Sequence, residues 1–298
     1  LRNYKAEWKK PLHTNIYGFD GWTSPPPTQG YLTLSTLKAI EMLDAENDDI
    51  HKIIETYRIF AADRDNITYD YGKNIKDFKG VDLDYIQEKL KLFNPNHSQK
   101  FNFPKPHGGG TAYMNTIDKD GLGVSLIQSN FHGIGSRIGV GSFGFFLHNR
   151  GCGFNLDSGH PNYLTPGRKP LHTLSPTIWS KNGNLEFIAG TRGGRHQPQL
   201  LIQTILPYLQ NSDSFEQIIK DPRWVIENFS NDTISKLRFE KINNEDLEIL
   251  LQKGHGVEVE NEYKKSYGPI SIIYKKDDGN FEGVCDVRVG TEKVFNNS

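Results

Sequence analysis

Thr111 follows three glycines in the run His107-Gly-Gly-Gly110-Thr111-Ala-Tyr113. It opens an alternating stretch, with Ala112, Met114 and Thr116 on one face and Tyr113, Asn115 and Ile117 on the other. The arrangement reads as a hydroxyl nucleophile held inside a precursor. For that hydroxyl to reach the carbonyl of Gly110, the backbone must enter a strained geometry, which residues without side chains at 108–110 permit. Cleavage between Gly110 and Thr111 would free an α-amino group with a pKa of about 8, able to act as general base for its own hydroxyl at neutral pH. Read locally, the same residues suit a Gly-rich turn before an ordinary edge strand equally well. Acyl transfer also needs donors for a developing oxyanion. The Gly193-Gly194 pair, between a predicted strand and a predicted helix beginning at Gln197, offers backbone amides in a tight turn, with the helix dipole behind them. A plain strand-to-helix turn is the alternative there.

The elements that would position these groups fall into two halves. The chain up to residue 24 reads as loop and short strand, ending at Pro25-Pro26-Pro27. A helix follows from Thr33, with Leu34, Leu37, Ile40 and Leu43 on one face; a second spans 49–63, burying Ile50, Ile53, Ile54, Tyr57 and Phe60. A polar helix covers 83–93, and 94–110 carries no periodic signal and reads as loop. Beyond Thr111 the pattern favours strands at 112–117 and 123–129, joined by the turn Asp118-Lys-Asp-Gly121, and another at 144–148. Strands at 177–180 and 185–189 flank Lys181-Asn-Gly183. Helices are predicted at 197–209, 215–220 and 244–253, and strands at 237–241, 257–260, 270–275 and 281–286. Helices first and a strand-rich body afterwards imply an α+β fold of stacked sheets flanked by helices.

Composition narrows the function classes. The 298 residues suffice for one large domain or two ordinary ones. A formal net charge of −1 gives no support to nucleic-acid binding, and no apolar run approaches the roughly 20 residues of a membrane span. The start, Leu1-Arg-Asn-Tyr-Lys, reads as a processed or truncated terminus. Cys152 and Cys285 are too few for a disulfide framework and read as two buried reduced thiols. Gly139-Val-Gly-Ser-Phe-Gly144 satisfies the dinucleotide pattern, but 145–149 reads as strand rather than the required helix. The ten histidines show no i, i+4 pairing and no Cys pair, so neither a metal nor any other cofactor is expected.

Three stretches together carry a resemblance: Thr111-Ala-Tyr-Met-Asn-Thr-Ile-Asp-Lys-Asp-Gly121, Arg168-Lys-Pro-Leu-His-Thr-Leu-Ser-Pro-Thr177 and Gly190-Thr-Arg-Gly-Gly194. They resemble the small subunit of γ-glutamyltranspeptidases and their acylase relatives. Ser24-Pro-Pro-Pro27 and Ala61-Ala-Asp-Arg64 resemble the end of that family's large subunit, and Asp221-Pro-Arg223 and Gly283-Val-Cys-Asp-Val-Arg288 resemble small-subunit landmarks. The resemblance implies a four-layer αββα sandwich of the N-terminal-nucleophile hydrolase type. Residues 1–110 would be the C-terminal part of a large subunit, and 111–298 the small subunit, released by self-cleavage between Gly110 and Thr111. Thr111 would be the nucleophile, Gly193 and Gly194 the oxyanion hole, and Ser129 a second hydroxyl hydrogen-bonded to the nucleophile. The family's longer large subunit implies that its N-terminal part is absent here and is a missing partner. A γ-glutamyl or related acyl amide, small or peptidic, would be the substrate, and a homodimer is compatible with the resemblance.

The substrate-binding positions depart from the glutathione-degrading pattern. An acidic residue that holds the α-amino group aligns with Gly153, and a neighbouring amide with Arg150. Two serines that hold the α-carboxylate align with His172 and Thr173, and a loop asparagine falls near Asn130 or Phe131. A cation where an ammonium should sit is electrostatically wrong for free γ-glutamyl groups, and the stretch Asn149-Arg-Gly-Cys-Gly-Phe-Asn-Leu-Asp157 looks more like the acylase branch. Arg150, expected at the end of the predicted strand 144–148, would then hold an anionic group of the substrate, or else form a structural ion pair with Asp157 or another acid. A true γ-glutamyl transferase, and a non-catalytic or unprocessed homologue binding a carboxylate through Arg150, are the competing readings.

Overall fold

The computed structural model describes residues 5–46, 48–101, 110–211, 213–226, 236–290 and 293–295. Its centre is a six-stranded antiparallel sheet in the order β1 (Leu12–Ile16), β2 (Phe19–Thr23), β5 (Thr177–Lys181), β6 (Asn184–Thr191), β10 (Ile270–Lys275), β11 (Phe281–Cys285). Alternation divides β6 between two layers. Phe187 points to the helical side, against Trp179, Tyr208 and Phe215. Ile188 points the other way, towards Gly123.

On the first side lie α1 (Tyr31–Met42), α2 (Ile50–Ile67) and α4 (Gln197–Asn211), whose Leu34, Leu37, Ile40, Ile53, Tyr57, Leu201 and Ile205 form one buried core with the sheet. The second α-helix runs four residues beyond its expected end at 63; Asp49 caps its start by accepting from the Lys52 amide. The polar helix α3 (Leu83–Leu90) fully buries only Ile86, in a smaller cluster with Tyr31, Phe60 and Phe78. On the other side of the sheet lies the hairpin of β3 (Gly110–Ile117) and β4 (Gly123–Phe131), joined by the expected turn, in which the Asp118 carboxylate accepts from the Asp120 and Leu122 amides. Asn115 fastens this hairpin to the sheet by donating to the carbonyls of Ile188 (3.3 Å) and Ser271 (3.2 Å). Helix, sheet and stacked hairpin are layers of the expected sandwich. Met114, Val124 and Leu126, on the outward face of the hairpin, are exposed apolar residues.

Four features differ from the sequence expectations. The segment before residue 24 is a full hairpin at the sheet edge. A three-stranded sheet of β7 (Trp224–Ile226), β8 (Lys236–Phe239) and β9 (Gly256–Val259) includes a strand, β7, too short to show a period. The strand expected at 144–148 does not form: a 3-10 turn at Gly141–Phe143 leads into a single bridge between Gly139 and Phe146. Phe145, Phe146 and Leu147 are exposed, so an apolar run found no sheet edge to join. No helix follows Gly144 either, which the dinucleotide pattern would require. Cys152 is exposed and Cys285 half-buried, correcting the expectation of two buried thiols. Residues 102–109 of the loop expected at 94–110, Gly108 and Gly109 among them, lie outside the described residues.

A buried histidine pair joins the small sheet to the helical layer. His51 of α2 donates from Nε2 to the Asn94 carbonyl (3.0 Å), since a carbonyl can only accept; its bare Nδ1 therefore accepts from His255 Nε2 at 2.9 Å. Burial pulls both imidazoles below their ordinary value of 6.5, His255 to about 3 with help from the nearby Arg58 charge. His255 is neutral in the folded protein at pH 5, whereas in the unfolded chain it binds a proton there; the shift of His51 has the same sign. Stability is thus fully present above about pH 6.5 and is lost as pH falls towards the folded values, at up to about 1.4 kcal/mol per pH unit for each group. The melting temperature should fall between pH 7 and pH 5, and fall less in His255→Gln. Equal slopes for the two proteins would show that the pair does not govern acid stability.

Candidate active site

Thr111 and Ser129 are direct cross-strand partners in the β3–β4 hairpin, with an irregularity in register between Gly110 and Thr111. At that irregularity the Ser129 hydroxyl donates to the Gly110 carbonyl oxygen at 2.7 Å and itself accepts from the Phe131 amide at 3.0 Å. The carbonyl of the peptide bond preceding Thr111 is therefore polarised by a hydroxyl that is in turn polarised by an amide. A Cβ on residue 110 would overlap the Gly133 carbonyl, so only glycine lets the two loops close here. Ser129 was expected to bond the nucleophile; in the uncut chain its hydroxyl donates to the carbonyl in front of it.

The stacking of β3 on β6 places the Gly193–Gly194 turn. Asn115 bonds residue 188, and the Tyr113 ring rests on Gly190, its hydroxyl paired with Ser125 at 2.8 Å. Two residues back along β3 correspond to two forward along β6, so the same step carries Thr111 towards residue 192, at the mouth of the turn. Gly193 and Gly194 adopt φ of 127° and 60°, conformations that side chains oppose. The His196 amide donates to the Gly193 carbonyl, and the Gln197 amide, opening α4, to that of Gly194.

Arg150 lies in a 3-10 turn, Arg150–Gly153, rather than at a strand end. Its Nη2 donates to the Ser129 carbonyl at 3.3 Å, and its guanidinium stands 5.4 Å from the Phe131 ring centroid. The residue is buried, and its Nη1 has no hydrogen-bond partner among the described residues. Among the described residues no carboxylate lies within ion-pair distance of it. Asp157, the alternative partner, instead accepts from the Gly159 amide in its own turn. Burial alone pulls the guanidinium down to about 10, so it stays charged at neutral pH.

His172 is close enough to Arg150 to feel its charge. Burial, reinforced by Arg150, pulls the imidazole down to about 3, so it is neutral, and its Nδ1 has no partner. Asn130 joins the group through its backbone, its carbonyl accepting from the Asn149 amide at 3.1 Å. Thr173 turns its carbonyl away from Arg150, to the side chain of Gln29. Gln29 is a site contributor that the sequence reading missed; its only local signal is its place immediately before the Gly30 start of α1. A cavity of about 740 Å³ adjoins His172, bounded by Trp22, Pro26, Tyr71, Lys169 and Ile178, over the part of the large sheet that the hairpin leaves uncovered.

At Gly153, a Cβ would stand 2.5 Å from the Leu171 carbonyl oxygen. An acidic side chain cannot occupy that position without moving the loop that carries His172. Gly153→Asp should therefore destabilise the protein by about 1–3 kcal/mol through overpacking. A melting curve matching the parent's would refute this.

Two stacked antiparallel layers, a glycine-preceded threonine at the start of an inner strand and a glycine turn at the end of the strand it stacks on are the architecture of an N-terminal-nucleophile hydrolase. The family model for gamma-glutamyltranspeptidase matches residues 1–295, and the chain belongs to that family. It is 30% identical over 301 residues to a glutathione hydrolase-like proenzyme of Bacillus subtilis, and 31% identical over 305 residues to an oxamate amidohydrolase proenzyme of Klebsiella pneumoniae. Each match covers 97% of this chain and 56% of the relative. Among solved structures, the cephalosporin acylase of Bacillus halodurans superposes with a TM-score of 0.81 at 26% identity, over 96% of this chain and 53% of the acylase. The chain thus spans about half the length of the relatives it matches.

Proposed function

We propose that this chain supplies the nucleophile and the oxyanion donors of a self-processing amidohydrolase. In the precursor, the Thr111 hydroxyl attacks the Gly110 carbonyl carbon and the peptide nitrogen leaves as the free α-amine. Water then hydrolyses the resulting ester, giving a large-subunit segment ending at Gly110 and a small subunit of 111–298. In turnover, the new α-amine takes the Thr111 hydroxyl proton as oxygen attacks a substrate amide. The Gly193 and Gly194 amides receive the oxyanion, the leaving amine departs with a proton, and water releases the acyl group. The observation that carries this reading is the Ser129 hydroxyl on the Gly110 carbonyl: it polarises the one peptide bond whose cleavage would expose Thr111 as an N-terminus.

The acyl group is one bearing an anion. Arg150, with an unpartnered Nη1 one strand position from the nucleophile, offers a charged donor for a carboxylate, and Gly153 leaves no room for an acid that would hold an α-ammonium. The substrate named for the Klebsiella relative, oxamate, is a carboxylate joined to an amide, which agrees with this reading. The exposed apolar face of the hairpin and the cavity over β2 and β5 support a further polypeptide layer, equivalent to the remaining length of the relatives, packed there.

N-terminal sequencing of the mature protein tests the reading directly. A second terminus reading Thr-Ala-Tyr-Met is expected. Full activity from protein in which Thr111 is still internal would refute the mechanism. An intact, inactive chain that binds carboxylates would instead identify a non-catalytic homologue.

A further inference from the structure

We propose that Gln29 is a positioning residue that locks the Gly193–Gly194 turn to the loop carrying His172 and Thr173, an inference that rests on the oxyanion role assigned to that turn. Gln29 is wholly buried, and both hydrogens of its amide are used. Nε2 donates to the Gly194 carbonyl at 2.9 Å and to the Thr173 carbonyl at 3.0 Å. Its Oε1 accepts from Arg64 Nη1 of α2 at 3.2 Å, and Arg64 is itself held by Asp65 at 2.6 Å.

The arrangement answers a problem the turn sets. Two glycines have no side chains by which neighbouring groups could hold them, so the planes that carry their amides are fixed through carbonyls: that of Arg192, which accepts from the Thr191 hydroxyl at 3.0 Å and shares its plane with the Gly193 amide, and that of Gly193, which shares its plane with the Gly194 amide. The Gly193 carbonyl is held by the His196 amide, and the Gly194 carbonyl by the Gln197 amide and Gln29 together. The Gly194 carbonyl belongs to the next plane, so Gln29 anchors the helix end of the turn and limits how far the donor planes before it can swing, which keeps the turn in one orientation before substrate arrives. The Arg64 charge polarises the Gln29 amide and strengthens its two donated bonds. Two other bonds cross the same junction: the Ser175 amide to Gln197 Oε1 (3.0 Å) and the His172 amide to the Pro27 carbonyl (2.9 Å). Each of these joins two segments. Gln29 joins the 24–29 loop, the 171–175 loop and the glycine turn through one side chain, so the acyl-recognition loop and the oxyanion donors keep a fixed spacing.

The test compares Gln29→Met, of similar length but lacking donors, and Gln29→Glu with the parent, each expressed from its complete open reading frame. Hydrogen exchange read by mass spectrometry requires no activity. In Gln29→Met, exchange should quicken together in peptides covering 171–176 and 190–197. Unchanged exchange, or a change in only one of the two segments, would overturn the coupling. In hydrolysis of glutaryl-p-nitroanilide, Gln29→Met should lose about tenfold in kcat with little change in KM, less than the full loss of an oxyanion donor because the donors are displaced rather than removed. In Gln29→Glu, an ionised carboxylate would oppose two carbonyl oxygens, and protonation would restore one donor. The kcat of Gln29→Glu relative to the parent should therefore rise towards acid pH, whereas that of Gln29→Met stays flat. Flat, equal losses in both variants would make Gln29 a space-filling residue only. A parent protein that hydrolyses no acyl anilide would refute the proposed activity, leaving the exchange result to decide the coupling.

Discussion

Thr111→Ala should leave the chain uncut at Gly110 and lower amide hydrolysis by about 10⁴-fold or more, because one hydroxyl serves both maturation and turnover. Alanine keeps the β-strand and the pairing with Ser129, so folding and the Ser129 bond to the Gly110 carbonyl should survive. Thr111→Ser should retain part of both reactions. A serine hydroxyl can make the same attack, but it lacks the methyl group that restricts χ1 and holds the oxygen on one side of the strand. Intact mass reports cleavage and steady-state kinetics report turnover. An alanine variant that still splits between residues 110 and 111 would show that the cut comes from another protease.

Arg150→Ala should reduce kcat/KM for glutaryl-p-nitroanilide by roughly ten- to a hundredfold, mainly through KM, while neutral acyl anilides change little. A hydrogen bond to a charged group contributes about 1.5–3 kcal/mol, which sets that range. The expected stability effect is small. Burial without a carboxylate partner already pulls the guanidinium down to about 10, so removing it relieves a desolvation cost along with the loss of its bond to the Ser129 carbonyl. Equal losses on anionic and neutral substrates, together with a lowered melting temperature, would make Arg150 structural. The same comparison separates the acylase reading from a glutathione-type one: γ-glutamyl-p-nitroanilide carries the α-ammonium that a cation at this position repels.

Much of the site was legible because it is written locally. Thr111 announces itself by the glycines before it and the alternation after it. The turn after β3 is encoded by Asp118, whose carboxylate binds amides two and four residues on, and Gly193-Gly194 by its place between a strand and a helix. The apolar faces of α1, α2 and α4 follow from a period that every buried helix must present to a sheet. One failure carried another with it. Residues 144–148 have strand-like composition, but they pair only with the short loop 136–140 and not with an edge of either large layer, so no regular strand forms. Arg150 was placed at the end of that absent strand and instead sits in a tight turn.

The sequence by itself determined the family, the glycine-preceded threonine proposed as nucleophile and the strand that carries it, since these depend on residue types a few positions apart. Only the tertiary structure decided what those residues face. It set the Ser129 hydroxyl on the Gly110 carbonyl, left Arg150 without a carboxylate among the described residues, closed Gly153 against Leu171, and brought Gln29 to carbonyls 144 and 165 residues away. Such contacts are fixed by how layers stack, and no period or motif near residue 29 records which distant backbone will need its two donors.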